Sequence, residues 1–168
     1  MKKIAVIALL AFALFASQEA FYEDDITPKE AFEMQKKGAV IIDVRSAAEY
    51  LYAGHPKGAV NIPIFEFNYS PKNIDIRIKA SKMEQRGKKA DLHKLYDITP
   101  IENGKFLEDV KKLYSKLKPK EIVVICRSGA RSEYAANILA KNGFKNVYNV
   151  EDGYIFGWKR DNLPSVTE

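Results

Sequence analysis

The only cysteine in the 168-residue chain, Cys126, sits where a thiol could do chemistry. It ends the apolar run EIVVIC and is followed by Arg127, Ser128, Gly129, Ala130 and Arg131, with a helical pattern opening near Ser132. Ser, Gly and Ala are small enough for the backbone to curl around a sulfur with its N–H groups inward, and Gly129 can take a positive φ. The N-terminus of the next helix adds unpaired N–H groups and partial positive charge, and Arg127 and Arg131 add permanent charge, so the loop is suited to an anion. A charge-assisted hydrogen bond contributes about 1.5 to 3 kcal/mol and a helix terminus up to about 2 kcal/mol, enough to favour thiolate over thiol. A thiolate with no general base beside it suits a substrate whose leaving group departs as an anion, so an S–S or S–O bond is a better target than an amide. A lone cysteine has no partner for an internal disulfide or a thiol switch. The bland alternative, a buried and inert hydrophobe, fits poorly with so polar a neighbourhood.

Other residues with chemistry are Asp43 and Arg45, at the end of an apolar run that should neighbour the one carrying Cys126; they could shape a pocket or form a buried salt bridge that holds a turn. His55 could act as a base, although Gly-His before a turn more often marks a hydrogen-bonded structural histidine. One Cys and the separated His55 and His93 offer no metal-ligand spacing. Tyr154 and Trp158 stand at helical spacing and read as core.

The elements that must position these residues alternate. Thr27, Pro28 and Glu30 form a capping box with Pro at the first helical position, predicting a helix to about residue 37, where Gly38 stops it. AVIID is a short apolar run of the kind that makes a strand buried on both faces. Ser46 and Glu49 repeat the capping box for a short helix, and a further strand is expected at 59–62. Residues 65–102 are polar and basic. There the alternation of Ile74, Ile76 and Ile78 with Asp75, Arg77 and Lys79 predicts a half-exposed strand. Phe106, Val110, Leu113, Tyr114 and Leu117 share one helical face. The Cys126 strand, a helix over about 132–141, a strand at NVYNV and a last helix around 154–160 follow. This order predicts an α/β domain, a parallel sheet with helices on both faces, whose ligands bind beyond the carboxyl ends of the strands.

With 46% hydrophobic and 29% charged residues, one globular domain is expected, spanning about 26–166 with a basic insertion at 65–102. Residues 1–20 read as a Sec-type signal peptide: Lys2 and Lys3, an uncharged apolar run over 4–16, then small residues with cleavage expected between Ala16 and Ala20. The run is shorter than a bilayer span, and no cysteine stands at the cleavage site for lipidation, so no stable membrane anchor is expected after cleavage. A periplasmic or otherwise exported address follows. No twin-arginine pair precedes the run, so nothing calls for a cofactor bound before export, and none is expected. Cleavage after Ala16 lowers the formal charge from +5 to about +3, too mild an excess to argue for nucleic acid.

CRSGARS resembles the active-site loop of the rhodanese family. IIDVRSAAEYLYAGHPKGAVNIP is similar to the family's Asp-Val-Arg to Asn-Ile-Pro block, and VEDGYIFGWKRDNLP to its C-terminal stretch, with Asp152 where a Gly is common. The resemblance implies a double displacement. Cys126 takes the outer sulfur of thiosulfate or polysulfide, the donor anion leaves, and the persulfide passes to a thiol, to cyanide or to a protein acceptor. It assigns Arg127, Ser128, Gly129, Ala130, Arg131 and Ser132 to holding the persulfide and the substrate anion. One alternative is a sulfur carrier or sensor serving a single docked partner. Another is phosphatase or arsenate reductase chemistry, since dual-specificity phosphatases share a related fold. They place Arg six positions after the Cys; here that position is Ser132, so the loop is one residue short for wrapping a tetrahedral oxyanion.

Overall fold

The apolar runs become a sheet because each residue on them finds a layer to bury against. The computed structural model describes residues 21–91 and 94–167; the leader read at 1–20 and His93 lie outside the described residues. In chain order the elements are β1 (Asp24–Ile26), α1 (Pro28–Lys36), β2 (Val40–Asp43), α2 (Ala47–Tyr52), β3 (His55–Pro56), β4 (Val60–Asn61), β5 (Phe65–Pro71), α3 (Ile74–Gln85), β6 (Tyr96–Glu102), α4 (Phe106–Leu117), β7 (Ile122–Ile125), α5 (Ala130–Lys141), β8 (Val147–Val150), a π-helical turn (Gly153–Trp158) and β9 (Ser165–Val166). Five strands form a parallel sheet in the order β1-β8-β7-β2-β4.

All residues of β2 and β7 are buried, and alternate ones serve opposite faces. Val40, Ile42, Ile122, Val124 and Cys126 pack with Phe106, Val110 and Leu113 of α4 and Ala135, Ala136 and Leu139 of α5. Ile41, Val123 and Ile125 pack on the other face with Ala31 of α1 and with Tyr154 and Trp158 of the π-helical turn. At about 1.5 to 3 kcal/mol per buried aliphatic side chain, these two half-cores dominate the stability. Tyr114 and Leu117, expected on the same face of α4, are exposed, Tyr114 meeting Phe144 edge to face at 5.5 Å.

Both capping boxes are present, with Thr27 and Ser46 accepting from the amides of Glu30 and Glu49. β1 was not expected from its polar sequence; of its three residues only Ile26 is buried, and backbone pairing to β8 recruits the rest. The strand expected at Ile74, Ile76 and Ile78 is instead the start of α3. Asn73 caps it by accepting from the Asp75 amide at 2.8 Å, and the strong helix formers KASKMEQ extend it. The alternating segment that does pair is β5, joined antiparallel to β6 as a two-stranded ribbon outside the main sheet. The base of this excursion is closed. The Asn103 amide donates to the Ile64 carbonyl at 2.9 Å, and its side-chain amide to the Pro63 carbonyl at 2.8 Å.

Candidate functional site

Parallel pairing of Asp43 with Ile125 brings the carboxyl ends of β2 and β7 side by side, so the residues following each strand form one neighbourhood. The Val44 amide continues the ladder to the Ile125 carbonyl at 2.9 Å. Cys126, one residue past β7, keeps the strand's alternation and turns its thiol toward the α5 face, where it is 1% exposed.

The loop from Cys126 to Gly129 folds back over the sulfur. Gly129, at φ +100°, donates its amide to Cys126 Sγ at 3.2 Å and begins α5 without a side-chain cap. The first amides of a helix have no carbonyl partner within it, so those of Ala130, Arg131 and Ser132 are donors for an anion. Ser132 Oγ stands 3.3 Å from Sγ and 2.8 Å from the Gly129 carbonyl oxygen. A hydroxyl has one proton. Beside a thiol it can donate to that carbonyl and accept from S–H, and beside a thiolate it can turn its proton to the sulfur.

The π-helical turn holds the loop from behind. The amides of Tyr154 and Ile155 donate to the carbonyls of Cys126 and Arg127 at 2.7 and 3.1 Å, which leaves the loop's N–H groups for the concave side. Gly153 makes this contact possible: a Cβ there would lie 2.5 Å from the Ser128 nitrogen and 2.6 Å from the Cys126 carbonyl oxygen. Asp152, which replaces the glycine common in this stretch, takes the left-handed conformation at φ +58° that Asp tolerates.

The two loop arginines differ in their surroundings. Arg127 is exposed, with its guanidinium carbon 5.6 Å from the centre of the Phe156 ring. Arg131 makes a two-pronged pair with Glu49 of α2, at 2.8 and 2.7 Å, and lies 5.8 Å from the Phe67 ring of β5. Burial pushes the Glu49 carboxyl up, but the bonds and charge of Arg131, together with the Ser46 contacts, outweigh it and hold Glu49 below its ordinary value. The hydrogen bonds to Glu49 likewise raise Arg131 against the effect of burial, with a smaller contribution from Cys126. A carboxylate lowered in this way stabilises the fold above its unfolded value and loses that contribution as pH falls through the folded one. The stability gap between the native chain and Glu49→Gln is therefore expected to be constant above about pH 5 and to close below about pH 4.3. Thermal unfolding across pH measures it, and a gap unchanged down to about pH 3 would contradict the clamp.

Asp43 and Arg45 are fully buried and bonded to each other. Arg45 Nε lies 3.0 Å from both carboxylate oxygens, and Nη2 donates to Asp43 Oδ2 at 2.6 Å and to the Gly54 carbonyl at 2.8 Å. The guanidinium also stacks 4.4 Å from the Tyr154 ring. His55 lies on β3, which pairs with β9; its ring stacks on Tyr50 at 3.6 Å, with Nδ1 3.0 Å from the Tyr50 carbonyl. Among the described residues no group of three or more His, Cys, Asp or Glu gathers as a metal ion would require.

Glu49 and Phe67 were missed as site residues. Glu49 showed only its capping role, and Phe67 only its place in the basic insertion.

A parallel α/β domain that cradles one thiol in an amide-lined loop between a central strand and a helix is a cysteine-loop domain of defined architecture. The family model Rhodanese-like domain matches residues 27–161, and the chain belongs to that family. It is 34% identical over 155 residues to rhodanese-like domain-containing protein 14, chloroplastic, of Arabidopsis thaliana, a match that takes in 83% of this chain and 63% of that protein. It is 27% identical over 143 residues to thiosulfate sulfurtransferase GlpE of Haemophilus influenzae, covering 85% of this chain and 94% of that one. The crystal structure of Rv0390 from M. tuberculosis matches with a TM-score of 0.58 at 25% sequence identity, covering 88% of this chain and 99% of that one.

Proposed function

We propose that this chain is an exported sulfurtransferase that moves sulfane sulfur through a persulfide on Cys126. The observation that carries the reading is the setting of the sulfur: one backbone amide and one hydroxyl on Sγ, at the mouth of a helix whose first amides point to the same loop. The Cys126 thiolate attacks the outer sulfur of thiosulfate, the bond from that sulfur to the sulfonate sulfur breaks, and sulfite leaves with the electron pair. The Cys–S–S⁻ group carries its charge on the outer sulfur, where loop amides stabilise it without a metal or organic cofactor. A thiolate or cyanide then attacks the outer sulfur and the Cys126 thiolate departs. Family membership and the GlpE relative support the transfer chemistry, and the leader read at 1–20 supports export.

Intact mass before and after incubation with thiosulfate, with released sulfite measured alongside, tests the first half-reaction. The expected result is a gain of one sulfur atom, matched by sulfite and absent in Cys126→Ser. No gain from thiosulfate or polysulfide, with the thiol open to alkylation, would refute the assignment.

A further inference from the structure

Residues 74–89 carry six basic side chains, Arg77, Lys79, Lys82, Arg86, Lys88 and Lys89, against the two acids Asp75 and Glu84. Among the described residues, the ion pairs made within the insertion, Lys72 with Asp97 and Lys94 with Asp91, fall outside this run. Helix α3 turns Ala80 inward. The opposite arc carries Ile74 and Ile78 one turn apart, 54% and 45% exposed, with Lys82 a turn further on and Asp75 and Lys79 beside it. On the side of Ala80, Ile76 and Met83 line a hollow of about 390 Å³ with Lys79, Lys89, Lys94 and Asp91 around it.

Two exposed isoleucines, Ile74 and Ile78, in line with Lys82 and within a run of net positive charge have two needs at once, an apolar layer and negative charge. A bilayer with acidic headgroups supplies both: the aliphatic side chains enter the headgroup boundary while lysine stems run alongside them and keep their ammonium groups among the phosphates. No described helix is long and apolar enough to cross a membrane, so such a contact is peripheral. We propose that α3 and the turn to Lys89 dock the protein reversibly on an anionic lipid surface. The ribbon that carries α3 is tied to the site end of the domain, since Phe65 of β5 stacks on Tyr134 of α5 at 5.6 Å, so docking would hold the Cys126 loop at a set distance from the lipid.

The test measures partition of the full chain into vesicles of phosphatidylcholine alone and of equal parts phosphatidylcholine and phosphatidylglycerol. The apolar run at 4–16 acts on both kinds of vesicle and Lys2 and Lys3 are the same in every variant, so the readout is the ratio of the two partition coefficients, compared between the native chain and its variants. The ratio is expected to exceed one, to fall with added salt, and to drop about fivefold per lysine replaced, reaching about a hundredfold in Lys79→Gln/Lys82→Gln/Lys88→Gln. Ile74→Ser/Ile78→Ser should weaken binding to the anionic vesicles and leave its salt dependence. An unchanged thermal midpoint in each variant confirms folding. A ratio near one, or a ratio undiminished in the triple variant, overturns the proposal. Retention on poly-glutamate without vesicle binding overturns it in favour of an acidic protein partner.

Discussion

Gly153→Ala is expected to lower kcat/KM for sulfur transfer by about a hundredfold while the chain still folds, because displacement of reacting groups by about 1 Å has effects of that size. The added methyl would meet the Ser128 nitrogen at 2.5 Å, and the Arg127 carbonyl carbon and Cys126 carbonyl oxygen at 2.6 Å. All three are backbone, so no side-chain rotation relieves the collision. Either the loop moves off the π-helical turn, taking its amides out of register with Sγ, or the turn retreats and frees the carbonyls that Tyr154 and Ile155 hold. A stability loss of about 1 to 3 kcal/mol should accompany the change. Gly38→Ala is the control: Gly38 also has a positive φ, +102°, but has nothing within 4 Å of its added Cβ, so it registers backbone strain alone. Steady-state kinetics on both variants separate the two effects, and a Gly153→Ala variant as active as Gly38→Ala would show that the contact does not shape the loop.

Asp43→Asn should cost about 3 to 5 kcal/mol, because it breaks a buried ion pair from one side. Arg45 is 1% exposed and would keep its charge with the Gly54 carbonyl and a neutral amide as its remaining partners. At about 2 to 4 °C per kcal/mol for a domain of this size, the thermal midpoint should fall by about 6 to 20 °C. Replacing both residues, as Asp43→Leu/Arg45→Met, removes the stranded charge and should recover most of that loss. A single variant within about 1 kcal/mol of the native chain would mean that water or another group reaches Arg45. The pair also bears on the site at one remove. The Asn61 side chain donates to the carbonyls of Asp43 and Arg45 at 2.9 and 2.8 Å, fixing the turn that leads into α2 and so the placement of Glu49.

Local signals were legible where one element determines its own outcome. The two capping boxes, the face carried by Phe106, Val110 and Leu113, and the apolar runs of β2 and β7 each specify an element through nearest neighbours. β1 was not legible, since two of its three residues are acidic and its strand state depends on a partner more than a hundred residues away. Three isoleucines at alternate positions suggested a strand, yet the Asn73 cap and the residues after Ile78 favour a helix, and no sheet stands ready to bury an isoleucine face. Phe65, Phe67 and Tyr69 alternate with polar residues just as clearly, and here the β6 strand is available to pair. The small-residue loop around Cys126 could be read locally. The Arg131–Glu49 clamp spans 82 positions, and sequence spacing alone cannot express a contact of that separation.

Where the insertion meets the domain, Asn103 bonds to the carbonyls of Ile64 and Pro63, so the chain leaves and returns through one narrow doorway. Closing the excursion at its base removes most of the dependence of the sheet on its length, since loop-closure entropy grows only slowly with added residues. The appendage is therefore exchangeable. Descendants of this chain can lengthen, trim or recharge its outer part, beyond the Phe65 and Phe67 contacts with Tyr134 and Arg131, without re-registering β4, so the surface it presents can evolve separately from the chemistry at the thiol.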